Sequence, residues 1–445
     1  MTAYRLHLRR ADSLATIRRA LDEVLPAYAH VFPADKAAPI LVKPNLNANM
    51  NALTGNTTDL RLLAALLGFL RDAGHRDVTV GEGTNSGYYR NGIGVIGRLR
   101  VDALAGRFGV PVVDLNYAPG RPVPFANGVT AQVAAPALDA ALVVNLPKLK
   151  THFEAGMSVC LKNLMGCLVG QENKKKTHQD LAANIVNLNA ALRPGLHIVD
   201  GLVAMEGLGP TRGTPVRCDR LVFGEDPYLV DAACARLAGF PEAAVAPLAE
   251  ARRRGLVGAA MGAFLDGLDL PLAAGRPFAP PRAGRLAAFI HHPRRQKYFL
   301  AVRNMALFRY LAGTDWFGAL LFATGLRQDV FCRDELRLEG LGLEAAACDG
   351  CGICRDFCPS GLDPAAVAEA GGQADCLGCL YCFAVCPRRA LRFHGEMGFF
   401  AEQVRQYEGH LRALGRARGA TDGEGAEQGP ARRTAEARRA GCGKA

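Results

Sequence analysis

The sequence predicts an α/β protein: a large domain with a parallel or mixed sheet flanked by helices, followed by a small α+β domain rich in cysteine. Short β-branched runs alternate with longer segments of helical apolar spacing from about residue 1 to residue 275. Strands separated by helices favour such a sheet. The cysteines are then concentrated between residues 336 and 397, and a chain of 445 residues is long enough for two domains.

The predicted strands are short apolar runs that end at polar or turn residues. A segment of helical spacing, 59–73, separates the first two of them. In sheets of this kind ligands bind at the carboxyl ends of the strands, so the polar residues after each run are the candidate site residues. The runs are 40–42, 78–80, 110–113, 142–145, 196–200 and 221–223.

Two further segments flank the cysteine-rich domain at 336–397. Residues 276–335 open with Pro277, Pro280 and Pro281 and continue with basic and aromatic stretches, which predict a helical connector. Residues 398–445 begin as a helix, and after Glu402 they become rich in Ala, Gly, Arg and Glu. That composition buries too little apolar surface to order itself, so we expect a disordered tail.

The composition argues against several classes of protein. The formal charge is +11, but the basic residues are scattered without interleaved aromatics, so we predict no nucleic-acid partner. No apolar run approaches the ~20 residues of a transmembrane segment. The best, Trp316–Leu326, favours a buried or interfacial helix over peripheral membrane contact. The N-terminus lacks the apolar region of an export signal, which predicts a cytoplasmic protein with reduced thiols.

Two runs in the small domain have the spacing C-x2-C-x2-C-x3-C-P. In this spacing three thiolates bind one iron–sulfur cubane and the fourth binds the other. We therefore predict two [4Fe–4S] clusters in a ferredoxin-like domain. Zinc sites are the alternative, because C-x2-C also builds those. Cluster one would take Cys348, Cys351, Cys354 and Cys386, and cluster two would take Cys376, Cys379, Cys382 and Cys358.

The remaining six of the fourteen cysteines are expected to have simpler roles. Cys218, Cys234 and Cys332 fit small core residues, and Cys442 fits an exposed thiol of the tail. Cys160 and Cys167 bracket a lysine-bearing segment. For these two we favour packing over contact with a ligand.

Four segments of the large domain resemble the uncharacterised family DUF362, whose members often carry a ferredoxin domain. The most specific parts read NLPKLKTH and LKNLMG. The resemblance implies the fold and a candidate site, but no reaction. One departure is Glu82, which stands in Gly81-Glu82-Gly83 where many relatives have Gly-Asp-Ser. The segments are 41–45, 143–152, 161–166 and 199–210, and Asp226-Pro227 with Asp231 completes the pattern.

Cationic side chains follow several of the predicted strands. Lys43 follows the first strand, Lys148, Lys150 and His152 follow another, and Lys162 comes shortly after. Lysines beside buried runs are costly unless they are paired. They therefore either meet acidic residues in a structural network or bind an anionic ligand such as a carboxylate or phosphate, and we favour the ligand. The acidic residues available are Asp200, Glu206, Asp226 and Asp231.

These residues receive specific predicted roles. The catalytic candidates are His152, Lys148, Lys150 and Lys162. His152 is the expected proton donor, because its pKa range suits transfer near neutrality and neighbouring lysines would lower it. The candidates for binding a cofactor are Lys43, Asn45, Asn163 and Glu206. The three consecutive lysines 174–176 predict a solvated loop, and His178 is either a general acid or a surface residue.

Two glycine-rich segments resemble nucleotide-binding motifs without their structural context. Gly92–Gly97 reads GxGxxG with Asp114 at a suitable distance, but polar, turn-like residues precede it where a strand is required. Glu206–Gly213 could form an anion-binding nest, yet it lacks the Gly-Lys-Ser/Thr of a P-loop. Nicotinamide binding is therefore a minor alternative.

The patterns together predict an iron–sulfur oxidoreductase. Two [4Fe–4S] clusters would exchange electrons with a redox partner protein and pass them to an anionic substrate or cofactor in the large domain. The alternative is a non-catalytic electron-transfer or maturation protein whose large domain binds a partner. A third hypothesis gives the large domain its own non-redox chemistry.

Overall fold

The structure is a computed structural model that describes residues 4–85, 88, 92–281, 305, 334–371 and 375–419. The strands in these residues are β1 Leu6–Arg10, β2 Ile40–Pro44, β3 Val78–Glu82, β4 Val112–Asp114, β5 Gly120–Pro124, β6 Thr130–Ala134, β7 Leu142–Leu146, β8 Lys148–His152, β9 Gly156–Ser158, β10 Leu196–Glu206, β11 Thr214–Gly224, β12 Arg337–Leu343 and β13 Leu391–Glu396.

The α-helices of the same ranges are α1 Leu14–Val24, α2 Leu60–Asp72, α3 Val95–Arg98, α4 Val101–Gly106, α5 Ala135–Asp139, α6 Cys160–Asn163, α7 Gly170–Thr177, α8 Leu181–Leu192, α9 Pro227–Leu237, α10 Ala246–Arg253, α11 Ala259–Asp266, α12 Ile353–Asp356, α13 Pro364–Glu369, α14 Tyr381–Val385 and α15 Phe399–Gly419. Short 3-10 helices lie at Leu25–Val31, Ala52–Thr54, Ala126–Gly128, Leu164–Cys167, Glu242–Ala244 and Ala345–Ala347.

A mixed sheet of nine strands, counted over the described ranges, organises the large domain in the order β1-β11-β10-β7-β2-β3-β4, with β8 paired to β10 and β9 paired to β8. Its centre is parallel, since β2 pairs with β3 and β7, and β10 pairs with β7 and β8. Its β1–β11–β10 side is antiparallel. The mixed sheet predicted from the alternating pattern is confirmed.

Helices cover both faces of this sheet. Along β2, Ile40 and Val42 join one hydrophobic core and Leu41 joins another, because successive strand side chains point to opposite faces. The first core contains Leu63 of α2, and the second contains Leu188 of α8. Strands buried on both faces show continuous apolar runs rather than alternation, as β2 and β7 do.

The small domain is built around one antiparallel strand pair. β12 pairs with β13, and the helices α12, α13 and α14 lie between them in the chain. This is the predicted α+β module, and its expected limits of 336–397 enclose the strand pair. α15 follows directly and continues well past Glu402, where the sequence predicted loss of order.

The small domain packs directly on the large one. The guanidinium of Arg61 lies 4.2 Å from the ring centroid of Phe357. The hydroxyl of Tyr381 accepts the backbone N–H of Leu60 at 3.3 Å. Apolar side chains of both domains also belong to one continuous core. The cysteine module therefore sits against the start of α2, beside the sheet.

Several predictions concern residues outside those described. They include most of the helical connector, the segment 316–326, Cys332, and the tail from residue 420 with Cys442. Within the described part of the chain, no helix is both long enough and apolar enough to cross a membrane.

Candidate functional site

A cavity of about 250 Å³ opens at the carboxyl ends of the central strands. It lies where the strand pattern predicted a site, because parallel strands end at a common edge. Its walls come from residues within or next to six elements, which are β2, β3, β8, β9, α6 and α7. Its lining residues are Asn45, Asn47, Glu82, Gly83, Thr84, Asn85, Lys150, His152, Phe153, Glu154, Ser158, Lys162, Asn163, Met165, Gly166, Lys174, His178 and Pro210.

Two of the predicted site lysines form buried ion pairs and do not line this cavity. Lys43 Nζ donates to Glu82 Oε2 at 2.9 Å, and Lys148 Nζ donates to Asp200 Oδ2 at 2.9 Å. All four side chains are almost fully buried. These pairs are the structural network that the sequence offered as the alternative. Glu82, the departure noted in the family motif, is the partner of Lys43.

Lys150 is buried as well, but its contacts are with neutral groups. Its Nζ donates to Asn45 Oδ1 at 2.9 Å and to the backbone oxygen of Asn56 at 2.7 Å. Burial, and next the nearby Lys148, hold its pKa well below the usual range. A lysine in this setting favours the neutral amine.

A chain of side-chain amides leads inward from Lys150. Asn45 Nδ2 donates to Asn163 Oδ1, Asn163 Nδ2 donates to Asn145 Oδ1, and Asn145 Nδ2 lies 3.1 Å from His197 Nδ1. These side chains are buried, and each one provides a hydrogen-bond partner for the next. Asn45 and Asn163, predicted as binding residues, thus fix Lys150 from behind, and both also line the cavity.

Lys174 corrects a prediction from the sequence. Residues 170–177 form α7 rather than a solvated loop, and Lys174 is 7% exposed. Its Nζ donates to the backbone oxygens of Gly83 and Thr84 and to Asn116 Oδ1. Only one of the three consecutive lysines needs to turn inward on a helix, because neighbours in sequence point in different directions. Burial lowers the pKa of Lys174 to about 8.

Lys162 has the poorest set of partners among the lysines of the cavity. Its Nζ lies 3.2 Å from Met165 Sδ, which is a weak acceptor. Burial lowers the pKa of Lys162 to about 8, against an attraction to Glu154 that raises it. The side chain is partly exposed at the cavity wall. Its ammonium therefore has hydrogen-bond donors to offer to a ligand.

His152 is held as a neutral ring. Its Nδ1 accepts the backbone N–H groups of Glu154 at 3.1 Å and Ala155 at 3.2 Å, so the proton of the neutral imidazole is on Nε2. Burial, and next the charge of Lys162, hold its pKa well below 6.5. The lowering was expected, and together with the two N–H contacts it favours the neutral ring over a proton donor.

The mouth of the cavity carries a contact between a histidine and a carboxylate. His178 Nδ1 lies 3.3 Å from Glu154 Oε1, and both residues are exposed. The hydrogen bond to His178 is the main cause that lowers the pKa of Glu154. Of the two predicted roles for His178, the structure favours a surface residue that also borders the site.

Other predicted residues lie away from the cavity. Glu206 pairs with Arg276 through two contacts of 2.7 Å and accepts the backbone N–H of Ala279. Asp226 caps α9, and Asp231 accepts the backbone N–H of Cys160. None of the three acids bonds to a lysine of the site. Glu206 and Asp231 instead connect distant parts of the chain, and Asp226 caps a helix.

The buried cysteines of the large domain behave as packing residues. Cys160, Cys218 and Cys234 belong to one hydrophobic core, and Cys167 belongs to another. None of the four lines the cavity. Burial raises the pKa of the Cys167 thiol to about 12, which keeps it protonated and unreactive. Packing, the favoured role of Cys160 and Cys167, agrees with these positions.

The LKNLMG motif needs its glycine for a close approach. A Cβ on Gly166 would lie 1.8 Å from Glu82 Oε1 and 2.9 Å from Lys43 Nζ. Any larger residue would push into the Lys43–Glu82 pair. Gly83 faces the same contact, since its Cβ would lie 2.4 Å from the backbone oxygen of Gly166. The two glycines therefore let β3 and the 3-10 helix close the floor of the site.

The cysteines of the small domain divide between two cavities. One cavity is lined by Cys348, Cys351, Cys354 and Cys386. The other is lined by Cys358, Cys376, Cys379 and Cys382. This is the division that the spacing predicted, with the last cysteine of each run facing the other run's first three. Backbone N–H groups approach two of the sulfurs, from Gly378 to Cys376 Sγ and from Ala390 to Cys386 Sγ.

Comparison with known families finds a match for each of the two domains. Residues 40–236 match the family described as domain of unknown function (DUF362). Residues 341–387 match the 4Fe-4S dicluster domain. The chain contains a DUF362 domain followed by a 4Fe-4S dicluster domain. The resemblance read from NLPKLKTH and LKNLMG is thereby confirmed, and the DUF362 match contains the lysines of the cavity.

Two individual proteins resemble parts of this chain. Thylakoid-associated protein sll1697 of Synechocystis sp. is 28% identical over 257 residues, which cover 55% of this chain and 75% of that protein. The lactate racemase apoprotein of Thermoanaerobacterium thermosaccharolyticum is 13% identical, with a TM-score of 0.28. That match covers 52% of this chain and 56% of the racemase. A similarity this low carries no argument about function.

Sequence reasoning missed Lys174 and Asn47. Had 170–177 been treated as a helix, Lys174 and the buried Thr177 would have fallen on one face. Asn47 lines the cavity, and its Nδ2 is buried without a hydrogen-bond partner in the described structure. No sequence signal distinguishes Asn47 from the neighbouring asparagines of the DUF362 domain.

Proposed function

We propose that this protein is an iron–sulfur oxidoreductase that reacts with a small anionic substrate or cofactor in the cavity beside Lys150, Lys162 and Lys174. The dicluster domain makes iron–sulfur electron transfer the chemistry of the chain's C-terminal part. The observation that carries the proposal is one loop, residues 45–58, whose residues contact both the cavity and the cysteine module.

The two groups of four cysteines fit [4Fe–4S] clusters. Cubane clusters are held by four thiolates, and each of the two cavities presents four cysteines. The N–H contacts to Cys376 and Cys386 Sγ suit thiolates that carry negative charge. Bound clusters would supply one-electron transfer. Cys348, Cys351, Cys354 and Cys386 would hold cluster one, and Cys358, Cys376, Cys379 and Cys382 would hold cluster two.

Loop 45–58 links cluster two to the cavity. At its middle, Asn51 Nδ2 donates to the backbone oxygen of Cys379 at 3.1 Å. At its ends, Asn45 Oδ1 and the backbone oxygen of Asn56 accept from Lys150 Nζ. Gln403 of α15 fixes the same loop through Asn51 N and the backbone oxygen of Asn49. The cysteine group next to the DUF362 domain is therefore the one proposed for cluster two.

The opposite end of the module suits an external redox partner. Cys351, in the group proposed for cluster one, is exposed, whereas the cysteines proposed for cluster two are intermediate or buried. Cluster one would thus lie nearer to the solvent, where a partner protein can exchange electrons. The order partner, cluster one, cluster two and cavity follows from these positions. We also keep the cytoplasm as the proposed location, because it would leave the remaining thiols reduced.

The cavity favours an anion over a neutral ligand. Three of the described residues that line it offer donors: Lys162 Nζ has the weak acceptor Met165 Sδ, Asn47 Nδ2 has no partner, and His152 carries its proton on Nε2. Carboxylates and phosphates are rich in acceptors and would satisfy these donors. The volume of about 250 Å³ lies below the ~300–1,000 Å³ of typical cofactor pockets. We therefore propose a small organic acid or phosphate ester rather than a dinucleotide.

Reoxidation of the reduced clusters tests this function. The full chain is purified anaerobically, reduced with dithionite, freed of excess reductant and mixed with a panel of small carboxylates and phosphate esters. We expect at least one anion to accelerate the loss of the reduced-cluster signal, and Lys162→Met to remove the acceleration. Lys175→Met is the matched control, because Lys175 is exposed and pairs with Glu172. Equal rates for Lys162→Met and the wild type with every anion would refute the proposal.

A further inference from the structure

The lysines around the cavity differ in how many ammonium protons they have available. Lys43 and Lys148 each donate to a buried carboxylate, Glu82 or Asp200. Their charges are neutralised where they stand. Deprotonating either lysine would leave an unpaired buried carboxylate, so the free-energy cost of proton loss is high.

Lys174 and Lys150 are also committed. The three donors of Lys174 match its three acceptors, which are two backbone oxygens and Asn116 Oδ1. Lys150 donates to Asn45 Oδ1 and to the backbone oxygen of Asn56, which uses both protons of a neutral amine. The direction of its pKa agrees with that neutral form.

His152 has one ring proton and keeps it for hydrogen bonding. Two backbone N–H groups point at Nδ1, so an imidazolium would set a third N–H against them. The ring also lies close to Phe153, with centroids 5.2 Å apart and nearly parallel planes. This arrangement fixes a neutral imidazole with Nε2–H as a donor. It does not provide a general acid.

We infer that Lys162 is the proton donor of the cavity and that His152 Nε2–H and Asn47 Nδ2 orient the anion that receives the proton. This inference rests on the proposed function. Bound [4Fe–4S] clusters would supply the electrons. Lys162 would then give a proton from Nζ to the substrate atom that gains charge, so that its N–H bond breaks as the new bond to hydrogen forms. The lysine is left as a neutral amine, which water at the mouth reprotonates.

The charged surroundings of Lys162 are consistent with this role. Glu154 of the β8–β9 turn attracts its charge, and Lys150 and His152 of β8 face the same space. The other titratable groups that line the cavity are Glu82 at the end of β3, Lys174 of α7 and His178 after α7. A pKa of about 8 makes Lys162 mostly protonated at neutrality and still able to release the proton.

Competitive acetylation of the anaerobic, cluster-loaded protein tests the inference. Acetic anhydride modifies only neutral amines, and mass spectrometry of peptides then gives the extent of labelling of each lysine against pH. We expect labelling of Lys162 to reach its midpoint near pH 8. We also expect inorganic phosphate to protect Lys162 and to leave Lys175 unchanged. The inference is overturned if labelling of Lys162 does not change with pH, or if Lys162 and Lys175 share one pH midpoint.

Lys162→Arg separates proton donation from binding. Arginine keeps the charge and the donors but stays protonated throughout this range. The variant should still be stabilised by phosphate in thermal unfolding, with no loss of that stabilisation between about pH 7 and pH 9, whereas the wild type loses it. A wild-type pH step in the arginine variant would show that another group titrates. Neither measurement uses electron transfer, so failure of the reoxidation assay alone would refute only the proposed function.

Discussion

The side-chain Nδ2 of Asn51 donates a hydrogen bond to the backbone oxygen of Cys379, 3.1 Å away and 328 positions later in the chain. The same asparagine accepts the backbone N–H of Leu53 and gives its own N–H to Gln403. Asn51 therefore connects the DUF362 domain directly to a cysteine that is proposed to bind cluster two.

This contact predicts a selective shift in reduction potential. Asn51→Leu removes a dipole that points its positive end at a cysteine of cluster two, so the potential of that cluster should become more negative. Arg412 is the matched residue on the other side, since its Nη1 donates to the backbone oxygen of Cys386. Arg412→Leu should lower the potential of cluster one instead. Redox titrations followed by EPR would measure both, and a shift of the same cluster by both variants would contradict the ligand division.

A second prediction concerns the floor of the cavity. Gly166→Ala should destabilise the DUF362 domain by several kcal/mol, because the new Cβ displaces the carboxylate of Glu82 and leaves Lys43 unpaired. Gly94→Ala is the control, since Gly94 has a φ of −73° and open space around its Cβ position. Chemical denaturation would measure both free energies of unfolding. Similar values for the two variants would mean that the pair can shift without cost.

The lysines should also differ in stability when they are shortened. Lys148→Met leaves Asp200 buried without its cation and should cost about 3–5 kcal/mol. Lys162→Met removes an ammonium whose partner is the weak acceptor Met165 Sδ, so stability should be unchanged or higher. Phosphate affinity should show the opposite pattern from stability, because it should fall for Lys162→Met. Denaturation curves with and without phosphate would show whether the two effects separate.

Buried histidine predicts the acid sensitivity of the protein. His197 is fully buried, and burial lowers its pKa to about 3. The folded state therefore disfavours the charged ring, and stability should fall as the pH drops below the unfolded value of 6.5. The slope from this residue is at most about 1.4 kcal/mol per pH unit. His197→Gln should lose less free energy than the wild type between about pH 7 and pH 5. His30→Gln, at an exposed site, should behave as the wild type does.

The sequence located the site because the strand pattern and the motif agreed. Lys150, Lys162, Asn45 and Asn163 all border the cavity, as the ends of β2 and β8 required. The division of the cysteines also follows from spacing alone. The pairing of Lys43 with Glu82 could not be predicted, since it depends on the register of two strands that are 39 residues apart in the chain.

Other features depend on burial, which sequence patterns report poorly. His152 was expected to titrate near neutrality, but its pKa depends on two backbone N–H groups that only the folded turn provides. The sequence predicted that Lys174 is a solvated surface charge. In the structure its helix buries it, and its Nζ donates to the backbone oxygen of Gly83. Glu206 was grouped with the site by its motif, and its actual partner, Arg276, lies at the end of the domain.

Loop 45–58 would make the shape of the cavity depend on the metal content of the small domain. Its asparagines position Lys150, yet the loop itself is held by Cys379 and by Gln403 of α15. Cysteine modules of this size usually need their metal in order to fold. A chain made without iron would then lack one wall that supports its lysines. Iron supply would thus limit assembly of the cavity. A molecule without its full set of clusters would bind the anion weakly, and for that reason would not reduce it.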